Sequence, residues 1–204
     1  MEPQAADTRG TRFGLALRLA APYLAVVVFW CLLHNAWLAI IGYHAQMLWW
    51  SRGTHPKLTT PRPTPTTLLI LASVPAGPAL GFLLPHIART DIAAWLHDYH
   101  LTGPALVVMT FYFGLVHPIL EQIHWAPLRE RTPLAHLAFA GYHLLVLCSI
   151  LSVPWLAVCF VVLGLASWLW TRMVRASGSL WLAIASQGAA DLGIVLVAAL
   201  GFME

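Results

Sequence analysis

The sequence predicts an all-α fold: a polytopic transmembrane helical bundle of about six to seven spans, with one additional interfacial helix. Of the 204 residues, 59% are hydrophobic and only 9% are charged. Soluble domains carry about 25% charged residues, so this deficit is typical of a chain that lies mostly in lipid. The apolar residues also cluster in runs of about 20, the length that a helix needs to cross a bilayer. We therefore predict a single membrane-embedded domain over residues 1–204.

The N-terminal part of the chain leaves one choice open. Its first residues are polar, and we predict an uncleaved tail over residues 1–12. An apolar run follows from Phe13 to Trp50. This run is long enough for one tilted helix with an interfacial lead-in or for a hairpin of two short helices. Residues that prefer a membrane interface interrupt it, namely Trp30, His34, Asn35 and Trp37.

Five further apolar runs are predicted to span the membrane. Pro75 and Pro78 interrupt the first of them and predict a kink there. Between the first and second runs, residues 87–100 alternate apolar and polar groups at helical spacing, which predicts an interfacial helix. The five predicted spans are Thr67–Leu84, Ala105–His124, Leu134–Val153, Pro154–Trp170 and Leu180–Phe202.

The basic residues predict the topology. Three predicted loops on one side of the membrane carry Lys or Arg, whereas the loops facing them carry only Arg89. By the positive-inside rule, the basic side is the cytoplasm. The formal net charge of +3 is explained by these loops, so no nucleic-acid partner is predicted. The basic loop residues are Arg52, Lys57, Arg62, Arg129, Arg131, Arg172 and Arg175.

Polar residues within the predicted spans mark a candidate site. Only two of the eight acidic residues, Glu121 and Asp191, fall within spans. A charge at the bilayer centre costs a few kcal/mol, so such residues suggest function. At about 1.5 Å per helical residue, Glu121 lies roughly 8 Å and His143 roughly 14 Å from the basic side. Gln187 and Asp191 lie roughly 10 and 16 Å deep by the same measure.

Helical spacing groups the polar residues into stripes. Residues three or four apart share one face of a helix, and polar stripes facing lipid would leave their groups unpaired. Three stripes at a similar depth on three helices therefore predict one buried pocket. The stripes are His117, Glu121 and His124, then Phe139 and His143, then Gln187 and Asp191.

Three short motifs occur in a fixed order within these spans. They read "HPILEQIHWAPL", "FAGYH" and "SGSLWLAIASQGAADL". The order Pro-x-x-Glu, Phe-x-x-x-His and a last helix with two polar residues four apart resembles the CPBP family, the CAAX-processing and bacteriocin-processing intramembrane glutamic proteases. The resemblance covers residues 105–204, which it implies form the catalytic core. Residues 1–104 carry none of it.

The resemblance implies a mechanism and roles for seven residues. In such proteins the first glutamate and the second-motif histidine activate a water, and the third-motif pair binds the oxyanion. A bacterial inner-membrane protein with its active site toward the cytoplasm is expected, with membrane lipids and a membrane-associated peptide or protein as partners. No cofactor and no metal ion is predicted. The implied catalytic residues are Glu121, His143, Gln187 and Asp191, and the implied substrate-binding residues are Gln122, His124 and Phe139.

Four positions depart from the family pattern. The family's first motif reads Glu-Glu-x-x-x-Arg, whereas this chain has Gln122 and Ala126 at its second and last positions. Gln187 stands for the family histidine and Asp191 for the usual asparagine. Relative to the family pattern, the first motif loses one negative and one positive charge together. Because these losses compensate each other, we expect the chain to be a folded variant of the family.

The expected function is cleavage of a membrane-associated or lipid-anchored peptide near the cytoplasmic face. Three alternatives remain open at this stage. The first is a catalytically inactive relative that binds a membrane peptide. The second is a metal or haem protein that uses the histidines around Glu121. The third is a transporter, suggested by the two prolines within one span.

Overall fold

The structure, a computed structural model, describes residues 8–53, 56–62 and 65–202. These residues form helices and contain no β-strand, which confirms the predicted all-α bundle. Residues 1–7 of the predicted tail lie outside the described residues, and the first helix begins at Thr8. The α-helices are α1 (Thr8–Ala25), α2 (Ala36–Trp50), α3 (Leu68–Ser73), α4 (Ala76–Ile87), α5 (Ile92–Asp98), α6 (Gly103–Phe111), α7 (His117–Arg131), α8 (Leu134–Leu147), α9 (Val153–Ser177) and α10 (Trp181–Phe202).

The first apolar run forms a hairpin. Helix α1 continues as a π-helical segment, Val26–Leu32, and then breaks before α2. Asn35 caps α2, because its side chain accepts a hydrogen bond from the backbone N–H of Leu38 at 2.9 Å. Both α1 and the π-helical segment pack against α2. Of the residues that interrupt the apolar run, His34 and Asn35 therefore lie in the turn between the two helical segments.

Contacts between loops define two ends of the bundle. At the end that we call the basic end, the backbone N–H of Leu180 donates to the carbonyl of Lys57 at 2.8 Å. Glu130 of α7 lies 3.8 Å from the ammonium of Lys57 at the same end. At the opposite end, the backbone N–H of Ala36 donates to the carbonyl of Tyr99 at 3.2 Å. Seven helical segments run alternately between these ends.

Five of the seven segments are long and apolar enough to cross a membrane. Helices α2 and α8 are shorter, with 15 and 14 residues. Helix α5 is a separate short helix at the opposite end, within the stretch predicted to be interfacial. The span-length helices are Arg12–Leu32, Ile70–Ile87, Gly103–Arg131, Val153–Ser177 and Trp181–Leu200.

Glycines bring α4 and α10 into backbone contact. The chain kinks between α3 and α4 at Pro75, as the prolines predict. Two residues later, a Cβ atom added to Gly77 would lie 2.3 Å from the backbone of Gly193. Small residues permit such close helix approach in lipid, where van der Waals packing replaces the hydrophobic effect. This contact therefore fixes the position of α10 against α4 and determines which side of α10 faces that helix.

A second π-helical segment joins α6 to α7. It covers Tyr112–Val116, and the backbone N–H of His117 donates to the carbonyl of Tyr112. This i→i+5 hydrogen bond places residues five apart on one face, which a regular α-helix does not do. The side chains of Tyr112 and His117 consequently both point toward α2.

Candidate functional site

Glu121 lies at the centre of a buried polar network. Its side chain is fully buried, and groups from three other helices converge on it. The hydroxyls of Tyr43 and Tyr142 both donate to Oε1. Gln187 Nε2 donates to Oε2 at 2.5 Å, and His117 Nε2 lies 3.3 Å from the same oxygen. An ionised carboxylate accepts about four hydrogen bonds, so this arrangement fits the charged form of Glu121.

Gln187 connects the two intramembrane carboxyl groups. Its Nε2 donates to Glu121 at 2.5 Å and also to Asp191 Oδ2 at 3.2 Å. An amide nitrogen has two hydrogens, and both are therefore used. The longer contact with Asp191, which is partly exposed, is the easier of the two to exchange for another acceptor.

Arg129 supplies a buried positive charge to the same network. The positions of the basic residues predict a loop here, but Arg129 lies in the last turn of α7 and is buried. One guanidinium nitrogen donates to Gln122 Oε1, and another lies 3.3 Å from the carbonyl and hydroxyl oxygens of Ser167. Arg129 is two helical turns beyond Gln122, whereas the family arginine would stand at Ala126. The guanidinium of Arg129 therefore contacts the first motif from a position three residues beyond Ala126.

Arg129 also determines the orientation of two amides. Arginine only donates hydrogen bonds, so the oxygen of Gln122 must face it. The nitrogen of Gln122 then donates to Gln187 Oε1 at 2.7 Å. The nitrogen of Gln187 is consequently directed at the Glu121 carboxylate. A chain of donors runs from Arg129 to Glu121 through the amides of Gln122 and Gln187, two positions that depart from the CPBP pattern.

His143 reaches Glu121 through a tyrosine. Its Nδ1 lies 2.7 Å from the carbonyl oxygen of Phe139, which only accepts, so Nδ1 carries a hydrogen. Its Nε2 lies 3.1 Å from the hydroxyl of Tyr142, which donates to Glu121. Two polar contacts through one oxygen therefore separate the glutamate from the histidine, and the second is a hydrogen bond only when Nε2 also carries a hydrogen, because Tyr142 gives its own to Glu121. The Tyr142 oxygen lies where a shared water would bridge them.

A pair of imidazoles, His44 and His117, lies on the other side of Glu121. His44 Nε2 lies 2.9 Å from His117 Nδ1, and His44 Nδ1 lies 2.8 Å from the hydroxyl of Tyr112. Both histidines are buried, and Tyr112 is partly exposed. Hydrogen-bonding groups thus continue from Glu121 to the surface of the bundle.

The expected substrate-binding residues differ in their surroundings. Gln122 belongs to the network described above. Phe139 is buried among aromatic rings, with its centroid 5.7 Å from Trp125 and 4.8 Å from His143, and its carbonyl orients that histidine. His124 is fully buried and packs edge-on against Trp125 at 5.3 Å. Its ring nitrogens have no hydrogen-bond partner of good geometry among the described residues.

A groove lies on the outer surface of the bundle beside this network. It lies between α10 and the segment containing Gly114 and Pro118, and its volume is about 370 Å³. Leu115 and Trp181 line it and are exposed. Its wall includes Gly188, the neighbour of Gln187, so an apolar segment lying in the groove would be close to the network.

The histidines and acids do not form a metal-binding arrangement in the part of the chain that the structure describes. No group of three His, Cys, Asp or Glu side chains there could hold a metal ion. His44 and His117 contact each other directly at 2.9 Å, which leaves no room for an ion between them.

Comparisons with known proteins found no match. No family model, no curated protein and no solved structure matches this chain. The resemblance to the CPBP family therefore rests on the three sequence motifs.

The structure adds residues to the site that the sequence alone does not assign to it. Tyr43 and His44 come from α2, outside residues 105–204, and both contact groups of the network. Tyr142 directly precedes His143 in the second motif, and the motif pattern Phe-x-x-x-His does not specify the residue at its position. For Arg129, the signal was its seven-residue spacing from Gln122, which places both on one face of α7.

Proposed function

We propose that this protein is an intramembrane endopeptidase of the CPBP type, which cleaves a membrane-associated or lipid-anchored peptide by means of a water activated by Glu121. The observation that supports this proposal most is the convergence of three motifs on one carboxylate. Gln187 contacts Glu121 at 2.5 Å, and His143 is linked to Glu121 through a single hydroxyl. A glutamate and a histidine at this separation can hold one water and move its proton.

Water would enter this site in place of the Tyr142 hydroxyl. Tyr142 would turn away from Glu121, and the water would donate to the carboxylate and to His143 Nε2. The Phe139 carbonyl holds the hydrogen of His143 on Nδ1, so in the neutral ring Nε2 accepts. Glu121 would take the proton as the water attacks the peptide carbonyl, and the proton would pass to the leaving amine.

Gln187 would stabilise the oxyanion after giving up one partner. Its hydrogen bond to Asp191 is the longer of its two contacts, at 3.2 Å. Releasing Asp191 frees one N–H for the developing negative charge, while the other N–H holds Glu121. An apolar substrate segment would approach along the groove beside Gly188. We also propose that the protein lies in a bacterial inner membrane with its basic end toward the cytoplasm.

The test is a comparison of membrane proteins in cells that carry the wild-type protein, Glu121→Gln or Glu130→Gln. Glu130 lies on the same helix but is exposed, so its variant is the matched control. We expect at least one uncleaved precursor to accumulate with Glu121→Gln and none with Glu130→Gln. Identical new peptide termini in all three strains would contradict peptidase activity.

A catalytically inactive, peptide-binding relative is the second candidate. The observation that favours it is the complete burial of Glu121 together with donors on both of its oxygens. Such a protein would retain a bound peptide without cutting it. Recovery of one intact membrane peptide with both wild type and Glu121→Gln would support this candidate over the peptidase.

A further inference from the structure

Three groups form a continuous path from Glu121 to the bundle surface on the side away from His143. They are His117 on α7, His44 on α2 and Tyr112 in the π-helical segment. The successive separations are 3.3 Å from Glu121 Oε2 to His117 Nε2, 2.9 Å to the next ring and 2.8 Å to the hydroxyl. Each imidazole uses both nitrogens in this path.

The ionised carboxylate fixes the direction of the hydrogens along the path. Because Glu121 accepts, His117 must carry its hydrogen on Nε2. His117 Nδ1 is then an acceptor, so His44 also carries its hydrogen on Nε2. His44 Nδ1 in turn accepts from the hydroxyl of Tyr112. With neutral rings, all three donors therefore point toward Glu121.

When Glu121 is protonated, the same groups can form all of these hydrogen bonds with every hydrogen pointing the other way, toward the surface. The carboxyl then donates to His117 Nε2, and both rings carry hydrogen on Nδ1. Tyr112 accepts from His44 and directs its own hydrogen outward. The first state becomes the second when three hydrogens shift inward and one external proton binds the Tyr112 oxygen. One proton enters and one arrives at Glu121, so the step is balanced.

We propose that Tyr112, His44 and His117 form a proton relay that loads and unloads Glu121. The relay stands on geometry that a regular helix would not give, because the π-helical turn aligns Tyr112 with His117. Phe113 stacks on the His117 ring with centroids 4.3 Å apart, which holds the ring in its orientation. The ring of Tyr43 lies 5.8 Å from His117, and its hydroxyl donates to Glu121 on the other oxygen.

The relay serves the Glu121 of the proposed peptidase, but it does not depend on peptide cleavage. His143 and Tyr142 approach Oε1, whereas the relay approaches Oε2. The carboxylate therefore has a proton path that does not pass through the proposed water position. A peptidase would use it to restore the charged state of Glu121 between turnovers.

The test is nuclear magnetic resonance of histidine-labelled (¹⁵N) protein in lipid nanodiscs. It identifies the nitrogen that carries hydrogen and measures how fast that hydrogen exchanges with deuterium. We expect His44 and His117 to be neutral with hydrogen on Nε2. In Tyr112→Phe, exchange at His117 should slow by roughly tenfold or more, the change that about 1.4 kcal/mol in a barrier produces. Tyr23→Phe is the matched control, since Tyr23 donates to the Ala138 carbonyl away from the path.

His44→Phe breaks the path at its centre and is a second variant. It should slow exchange at His117 as strongly as Tyr112→Phe does. Equal exchange in the wild type and both variants, or hydrogen on Nδ1 of His117 beside an ionised Glu121, overturns the relay. Slowed exchange without any precursor cleavage would retain the relay and refute the peptidase.

Discussion

Introducing the glutamate that the CPBP pattern has at position 122 should damage this network. In the structure, Gln122 accepts from Arg129 and donates to Gln187 Oε1 at 2.7 Å. In Gln122→Glu one carboxylate oxygen still accepts from Arg129. The other carboxylate oxygen replaces the amide nitrogen and lies against the oxygen of Gln187, so two hydrogen-bond acceptors face each other. If Gln187 flips to donate to position 122, its oxygen faces Glu121 instead. Either arrangement leaves a buried acceptor without its donor, at a cost of about 1–3 kcal/mol.

The ion pair gained with Arg129 offsets only part of this cost. Arg129 already donates to residue 122, so charging the acceptor adds about 1 kcal/mol. A second carboxylate near Glu121 adds repulsion that opposes this gain. We expect the free energy of unfolding to fall by about 1–3 kcal/mol in the ionised variant. When the introduced carboxyl is protonated, it donates to Gln187 as the amide does, so the loss is present at high pH and shrinks as the pH falls.

Adding the histidine that the CPBP pattern has at position 187 should rescue the variant. In the double variant, which combines Gln122→Glu with Gln187→His, a protonated imidazole has two N–H groups, one for each carboxylate. Reversible unfolding by SDS in mixed micelles measures the single and double variants, and a coupling energy of about 1–3 kcal/mol is expected. Additive single effects, or a Gln122→Glu variant as stable as the wild type, would refute the donor chain.

Two further predictions use the same unfolding assay. In Arg129→Leu the free energy of unfolding should fall by about 3–5 kcal/mol, because Glu121 would keep a buried charge without a cation in its network. In Arg129→Lys it should fall by less, because the charge stays but one ammonium cannot contact Gln122 and Ser167 as the two guanidinium nitrogens do. Equal stability of both variants and the wild type would contradict this role. In Gly77→Ala the free energy of unfolding should fall by about 1–3 kcal/mol or more, because the added Cβ would lie 2.3 Å from the α10 backbone. Gly164→Ala, with open space around it, should be neutral or stabilised by up to about 1 kcal/mol, and a loss equal to that of Gly77→Ala would argue against the close contact.

Hydropathy and composition were sufficient for the fold. Long apolar runs can satisfy their backbone in lipid only as helices, so the all-α bundle followed directly. The first run remained ambiguous, because its length allowed one crossing or two. Contacts of α2 with α1 and α7 resolve that choice, and such contacts between distant segments leave no periodic signal in the sequence.

Spacing on regular helices indicated part of the polar network. Gln187 and Asp191 are four residues apart, and the structure keeps them in contact. The pairing of Tyr112 with His117 was inaccessible, because residues five apart align only in a π-helical turn. His44 was read as part of an uncertain apolar run, and nothing in its own segment points to a partner 73 residues away.

The role of Glu121 in water activation can be measured most directly by cleavage of an identified precursor in proteoliposomes prepared in H₂¹⁸O. Wild type and Glu130→Gln should produce a new C-terminal carboxylate that carries one ¹⁸O atom. Folded Glu121→Gln should produce none, because its amide cannot take the proton of the water. Cleavage by Glu121→Gln at the wild-type rate, with the same ¹⁸O content, would contradict the proposed function.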